Sequence, residues 1–160
     1  MDMSVESFDP NANANAVSGA SGAPGAGAGP VTILRLAGEL DASNYLQLVA
    51  RVQELYASGA RRLLLDLSGL TFLSSAGLVG LHSAVLIMRG QQPPDPEGGW
   101  GVFHAMSDDL QRQPAPEANF KVLCPQPRVA KALEMSGFSR LLPVFQEREQ
   151  ALASFSAAAT

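Results

Sequence analysis

Leu63-Leu64-Leu65-Asp66-Leu67 is followed by Ser68-Gly69 and then by Thr71-Phe72-Leu73-Ser74-Ser75-Ala76-Gly77-Leu78. The first run is continuous, apolar and of strand length, bounded by Arg61-Arg62 and Ser68-Gly69. It reads as a strand buried on both faces, the pattern of a parallel sheet and not of a half-solvated hairpin. The second run opens a helix at Ser74-Ser75. That helix stays apolar nearly all round through Leu81, Ala84, Val85, Leu86 and Met88 and stops at Arg89-Gly90. A helix without a polar face must be packed on several sides.

Upstream, Gly38-Glu39-Leu40-Asp41 turns the chain. Asp41 or Ser43 is placed to cap a helix with Tyr45, Leu48, Val49, Val52, Leu55 and Tyr56 at helical spacing, ended by Ser58-Gly59. Before that turn, residues 31–36 are β-branched and apolar, and residues 3–8 have a weaker strand character. The two predict a hairpin with an overgrown loop. Downstream, residues 120–124 read as a strand, 127–135 as a short helix closed by Ser136-Gly137, 141–145 as a last strand and 147–155 as a terminal helix.

The resulting order, β-α-β-α-β-α-β-α after an initial strand, predicts an α/β fold. It is a mainly parallel sheet of four to five strands with helices packed against it and the first strand antiparallel. Residues 1–8 would supply that strand, residues 9–30 a flexible Ala/Gly/Pro-rich loop, and residues 31–156 the body of one domain. Residues 91–119, broken by Pro93-Pro94, Pro96, Gly98-Gly99, Pro114 and Pro116, read as a long insertion with only residues 100–106 as an ordered patch.

Several function classes are disfavoured. The formal charge is −4 and the basic residues are scattered, which gives no footprint for nucleic acid. No apolar run approaches the roughly 18 residues of a membrane span. The start, Met1-Asp2-Met3-Ser4, lacks the basic-then-apolar order of a secretory signal, so a cytoplasmic location is expected. Cys124 is the only cysteine, which excludes an internal disulfide and a cysteine-based zinc cluster. Residues 22–29 are glycine-rich but lack the Gly-Lys-Ser/Thr ending of a phosphate loop. His82, two helical turns beyond Ser75, is too far to serve as its base and reads as structural. His104 has no partner ligands in the sequence, Cys124 reads as core, and Asp66 as a backbone hydrogen-bond acceptor at a strand end. No cofactor, no metal and no catalytic residue is therefore expected; a small hydrolase built on Ser75 is the enzyme alternative.

The most informative feature is the pair of hydroxyls at Ser74 and Ser75. A helix start carries unpaired N–H groups and partial positive charge, which suits a phosphoserine, although a plain capping serine suits it equally. Four blocks in register give this position a further meaning. Gly38-Glu39-Leu40-Asp41, residues 63–68, residues 72–78, and Val129-Ala130-Lys131-Ala132-Leu133-Glu134-Met135-Ser136-Gly137-Phe138 together resemble the STAS domain family, of the anti-sigma-factor-antagonist (anti-anti-sigma) type.

The resemblance implies a regulator that binds and does not catalyse. Unphosphorylated, it would hold a kinase-type anti-sigma factor; phosphorylated on serine, it would release it and so control sigma-factor-dependent transcription. A serine kinase and a serine phosphatase are the implied partners, with a monomer or weak dimer. Ser75 matches the family's phosphoacceptor and Ser74 is the second choice, because Ser74 stands where the family typically has Asp. Asp41, Ser43, Ser74, Ser75, Gly77 and Leu78 are the implied partner-binding residues. The alternative is a constitutive STAS subunit or scaffold, for example of a phospholipid-transport ATPase, without a phosphorylation switch.

Overall fold

The computed structural model describes residues 1–9, 30–93, 100–112 and 116–157. Of the predicted flexible loop over residues 9–30, residues 10–29 lie outside the described residues, as do the Pro/Gly-rich positions 94–99 and 113–115.

Five strands form one sheet in sequence order: β1 (Asp2–Phe8), β2 (Val31–Leu40), β3 (Leu63–Leu73), β4 (Phe120–Leu123) and β5 (Val144–Phe145). β1 pairs antiparallel to β2, with Val5 opposite Leu34, and every later pairing is parallel. The helices are α1 (Tyr45–Ala57), α2 (Ser75–Met88), α3 (Trp100–Arg112), α4 (Pro127–Ser136), α5 (Phe138–Leu141) and α6 (Arg148–Ala157).

Side-chain alternation along the strands divides the core in two. Leu34, Leu36, Leu63, Leu65, Leu67, Phe120 and Val122 face α1 to α5, whereas Val31, Ile33, Leu64 and Leu123 face α6 through Ala151, Leu152 and Phe155. The unbroken leucine run of β3 is thus explained: it has helices on both sides, and each fully buried leucine contributes about 1.5–3 kcal/mol. Lys121 is the polar exception on the α6 side. Its Nζ donates to the carbonyl and hydroxyl oxygens of Ser154 at 3.1 and 2.9 Å and stands 4.6 Å from the centre of the Phe155 ring. On the same flank Arg148 of α6 pairs with Glu6 of β1.

Four expectations are corrected. β3 does not stop at Leu67. It runs on to Leu73 across a register shift beside Ala37, where a side chain on Gly69 would meet the Ala37 Cβ at 3.1 Å. The expected strand over 141–145 shortens to the two-residue β5, because Leu141 still belongs to α5. Gly137, at φ +90°, ends α4 and restarts a short turn that buries Phe138, Leu141 and Leu142, and the Pro143 carbonyl accepts from Val122 N.

The segment 91–119 is not an irregular insertion throughout, because residues 100–112 form the 13-residue helix α3. Met106 of α3 belongs to the main core. Finally, neither Asp41 nor Ser43 caps α1, whose N-cap position is Asn44. Among the described residues no helix is long and apolar enough to cross a membrane.

Candidate functional site

The start of α2 is fixed by the carboxyl end of β2. Ser74 N donates to the Leu40 carbonyl at 3.0 Å, and the Ser74 hydroxyl accepts from Gly77 N at 3.1 Å, which makes Ser74 the N-cap. The first intrahelical bond runs from Leu78 N to the Ser74 carbonyl, so the amides of Ser75 and Ala76 precede it and have no partner inside the helix. Ser75 is exposed, and its hydroxyl makes no hydrogen bond with any described residue. The two adjacent serines therefore have different jobs: one hydroxyl holds the helix start and the other is presented to solvent.

Gly77 is buried against this junction. A Cβ there would lie 2.7 Å from the Leu40 carbonyl oxygen and 2.7 Å from Leu73 Cδ1, so the close approach requires glycine. One turn further, Gly80 admits Tyr45 of α1, which seats the start of α1 against α2. Leu78 is half-buried at the edge of the core.

The loop between β2 and α1 is a hydrogen-bonded turn. Asp41 Oδ1 accepts from Ser43 N at 2.9 Å and from the Ser43 hydroxyl at 2.6 Å, an Asx turn. These two bonds, the hydroxyl first, hold the Asp41 carboxyl below the usual carboxylate range. Asn44 closes the turn: its Oδ1 accepts from Asp41 N at 2.9 Å and its Nδ2 donates to the Glu39 carbonyl at 2.8 Å. Asp41 and Ser43 thus shape the loop that follows Leu40, whose carbonyl holds the Ser74 amide.

Two further side chains are not among the partner-binding residues nominated from the sequence. Leu46 is 48% exposed and Phe72 is 37% exposed. Leu46 lies off the apolar stripe of α1 formed by Leu48, Val49 and Val52, and its spacing marks it as outward-facing. Phe72 pairs with Glu39 at the end of β3, three residues before Ser75. Both present exposed apolar surface, Leu46 in the first turn of α1 and Phe72 near the end of β3.

The other nominated residues lie elsewhere. Asp66 Oδ1 accepts from Ser68 N at 2.9 Å, a local backbone contact, although with β3 running to Leu73 it lies inside the strand and not at its end. Cys124 leaves β4 at φ +49° with its thiol on the Gln146 carbonyl. His104 is exposed on α3. His82 is 2% exposed, and its Nε2 meets Asp109 of α3 at 2.8 Å; nothing in the sequence pairs those two residues before α3 is placed. Among the described residues no group of His, Cys, Asp or Glu has the geometry of a metal site.

A family model described as Mlab, STAS domain matches residues 26–93, which contain β2, α1, β3 and α2. A protein of Bordetella bronchiseptica, BtrV, is 33% identical over 124 residues, 77% of this chain and 84% of its own. The chain belongs to the STAS domain family. BtrV is named as an anti-sigma factor antagonist. The STAS fold is shared with two solved structures at 17% identity. One is an anti-sigma factor antagonist from Mycobacterium paratuberculosis, with a TM-score of 0.52 over 96% of this chain and 94% of that one. The other is a Thermotoga maritima protein titled as an anti-sigma factor antagonist, with a TM-score of 0.51 over 78% of this chain and 86% of that one.

Proposed function

We propose that this STAS domain is an anti-sigma-factor antagonist that works by partner switching. With Ser75 unmodified, the face made by Asp41, Ser43, Leu46, Phe72, Ser75 and Leu78 binds a kinase-type anti-sigma factor. Phosphorylation of Ser75 releases it, and a serine phosphatase resets the switch. The observation that carries this reading is the division of labour between the serines: Ser75 is exposed with its hydroxyl uncommitted, while the Ser74 hydroxyl is engaged with Gly77 N.

The physical basis is local. A phosphate adds about 1.5 to 2 negative charges, and at the first residue of α2 it would meet the uncommitted amides of Ser75 and Ala76, so the modified domain stays folded. A partner closely fitted to the unmodified face would instead meet new bulk and charge beside the Asp41 carboxylate. Each 1.4 kcal/mol so introduced weakens binding about tenfold. The domain acts by binding and not by turnover. The placement of His82 supports that, since its Nε2 is directed at Asp109 and not at Ser75.

Mass spectrometry of the protein from its own cells, with pull-downs by Ser75→Ala and Ser75→Asp variants, tests the proposal. Phosphate on Ser75, with a kinase-type anti-sigma factor retained by the alanine variant and lost by the aspartate variant, is the expected result. The alternative, a constitutive STAS subunit, draws on Ser74 standing where an acidic neighbour of the acceptor is expected. An unmodified Ser75 in every growth condition, with one partner held equally by both variants, would establish that alternative.

A further inference from the structure

α3 and Glu117 beyond it are fastened to α2 and its C-cap Arg89 by a chain of four side chains. His82 Nε2 meets Asp109 Oδ2 at 2.8 Å. Arg89 Nη1 donates to both Asp109 oxygens at 3.3 and 3.1 Å, and its Nε and Nη2 donate to Glu117 Oε2 at 3.0 and 2.9 Å. All four are largely screened from solvent, with side-chain exposures between 3% and 21%. His82 Nδ1 is buried and has no hydrogen-bond partner among the described residues.

We infer that these residues form a proton-sensitive latch, which holds α3 on α2 while His82 is neutral and loosens when His82 takes up a proton. In the neutral ring Nε2–H donates to Asp109 and Nδ1 is a buried acceptor without a donor, a cost that stays smaller than that of a buried charge. Protonation puts an N–H on Nδ1 where no acceptor stands, and a buried unsatisfied donor costs far more than one in water.

Charge works in both directions. Asp109 favours a proton on His82, and Arg89, held between Asp109 and Glu117, opposes it. From α1, the charged side chains Arg51 and Glu54 pair with each other at the surface. From α3 and α5, His104, Asp108, Arg112 and Arg140 are exposed. Burial outweighs the Asp109 hydrogen bond and holds the His82 pKa below its ordinary value.

The sign follows from linkage. The ring binds a proton more readily when α3 is released than when it is docked. Docking is therefore strongest above the released-state pKa of about 6.5 and weakens as the pH falls through that value toward the docked pKa. One proton limits the effect to about a tenfold rise in the opening constant per pH unit.

Hydrogen exchange of the α3 amides, corrected for intrinsic rates and taken at about pH 5.5, 6.5 and 7.5, reads the latch directly. Protection of α3 should fall with acid while that of β3 does not. Two variants bracket the cause. His82→Gln keeps a side-chain N–H for Asp109 without titrating, and should retain docking and abolish the pH dependence. Asp109→Asn should lower α3 protection already at about pH 7.5. A flat α3 protection across this range, or a pH dependence that survives His82→Gln, overturns the latch.

Discussion

The backbone carbonyl of Leu40 lies 2.7 Å from where a Cβ on Gly77 would stand, and the same oxygen accepts the Ser74 amide at 3.0 Å. The end of β2 and the first turn of α2 are therefore locked through one atom. Gly77→Ala has no flexible side chain to push aside on that side, since the obstruction is backbone. We expect a loss of about 1–3 kcal/mol, the usual cost of overpacking, read from the urea unfolding midpoint. A variant as stable as the native chain would mean that the Leu40 turn yields easily.

The two serines should separate cleanly. Ser74→Ala removes the N-cap and should cost about 1 kcal/mol while leaving Ser75 able to accept phosphate. Ser75→Ala removes an exposed hydroxyl without a partner and should change stability by less than about 0.5 kcal/mol while abolishing modification. Thermal unfolding and phosphate incorporation by the cognate kinase, measured on both variants, give the comparison. Equal destabilisation by both would contradict the capping assignment.

Most of this fold was legible in the sequence because its elements announce themselves locally. The unbroken Leu63-Leu64-Leu65 run, the all-round apolar α2 and the stripe of α1 each encode burial at a short range. Ser74-Ser75 was legible as a helix start, though only the structure distinguishes the capping hydroxyl from the presented one. The extension of β3 past Ser68-Gly69 was not legible, because Gly69 acts as a bulge residue against Ala37, a partner on another strand. α3 was missed for a related reason. The prolines on either side of it suggest loop, while Met106 and Asp109, three apart on one face, gain their meaning from the core and from His82 on a helix reached only through the fold. Asp41 and Ser43 looked like helix caps because their residue types suit both jobs, and the structure assigns them to the turn before the helix.

Leu46 and Phe72 offer a test of the binding face that does not depend on phosphate. Both are partly exposed apolar side chains whose removal leaves the core intact. Phe72→Ser and Leu46→Ser should each leave the unfolding midpoint nearly unchanged and weaken capture of the anti-sigma factor about tenfold or more, as central aromatic and aliphatic anchors do. Titration calorimetry with the partner identified by the Ser75 pull-downs provides the measurement. Undiminished affinity in both variants would place the contact surface away from this edge of the sheet.

Lys121 makes a prediction with a definite sign in pH. Its Nζ reaches the carbonyl of Ser154 in the last turn of α6, where helical carbonyls lack intrahelical donors and a cation is favoured by the helix dipole. Burial nevertheless lowers its pKa from the ordinary lysine value. The unfolded chain thus holds this proton more tightly than the folded one, and the penalty for keeping the charge inside is relieved as the pH rises through the folded pKa toward about 10.4. Lys121→Met keeps the length of the side chain and cannot titrate. The stability of the native chain relative to that variant should therefore rise as the pH approaches about 10.4 from below, because other titrating groups are common to both and cancel in the difference. Urea midpoints for the two proteins across this range measure it. A difference that stays constant would show that the ammonium is no worse solvated between Ser154 and the Phe155 ring than in water, and a difference that falls would show that the fold binds this proton more tightly than the open chain.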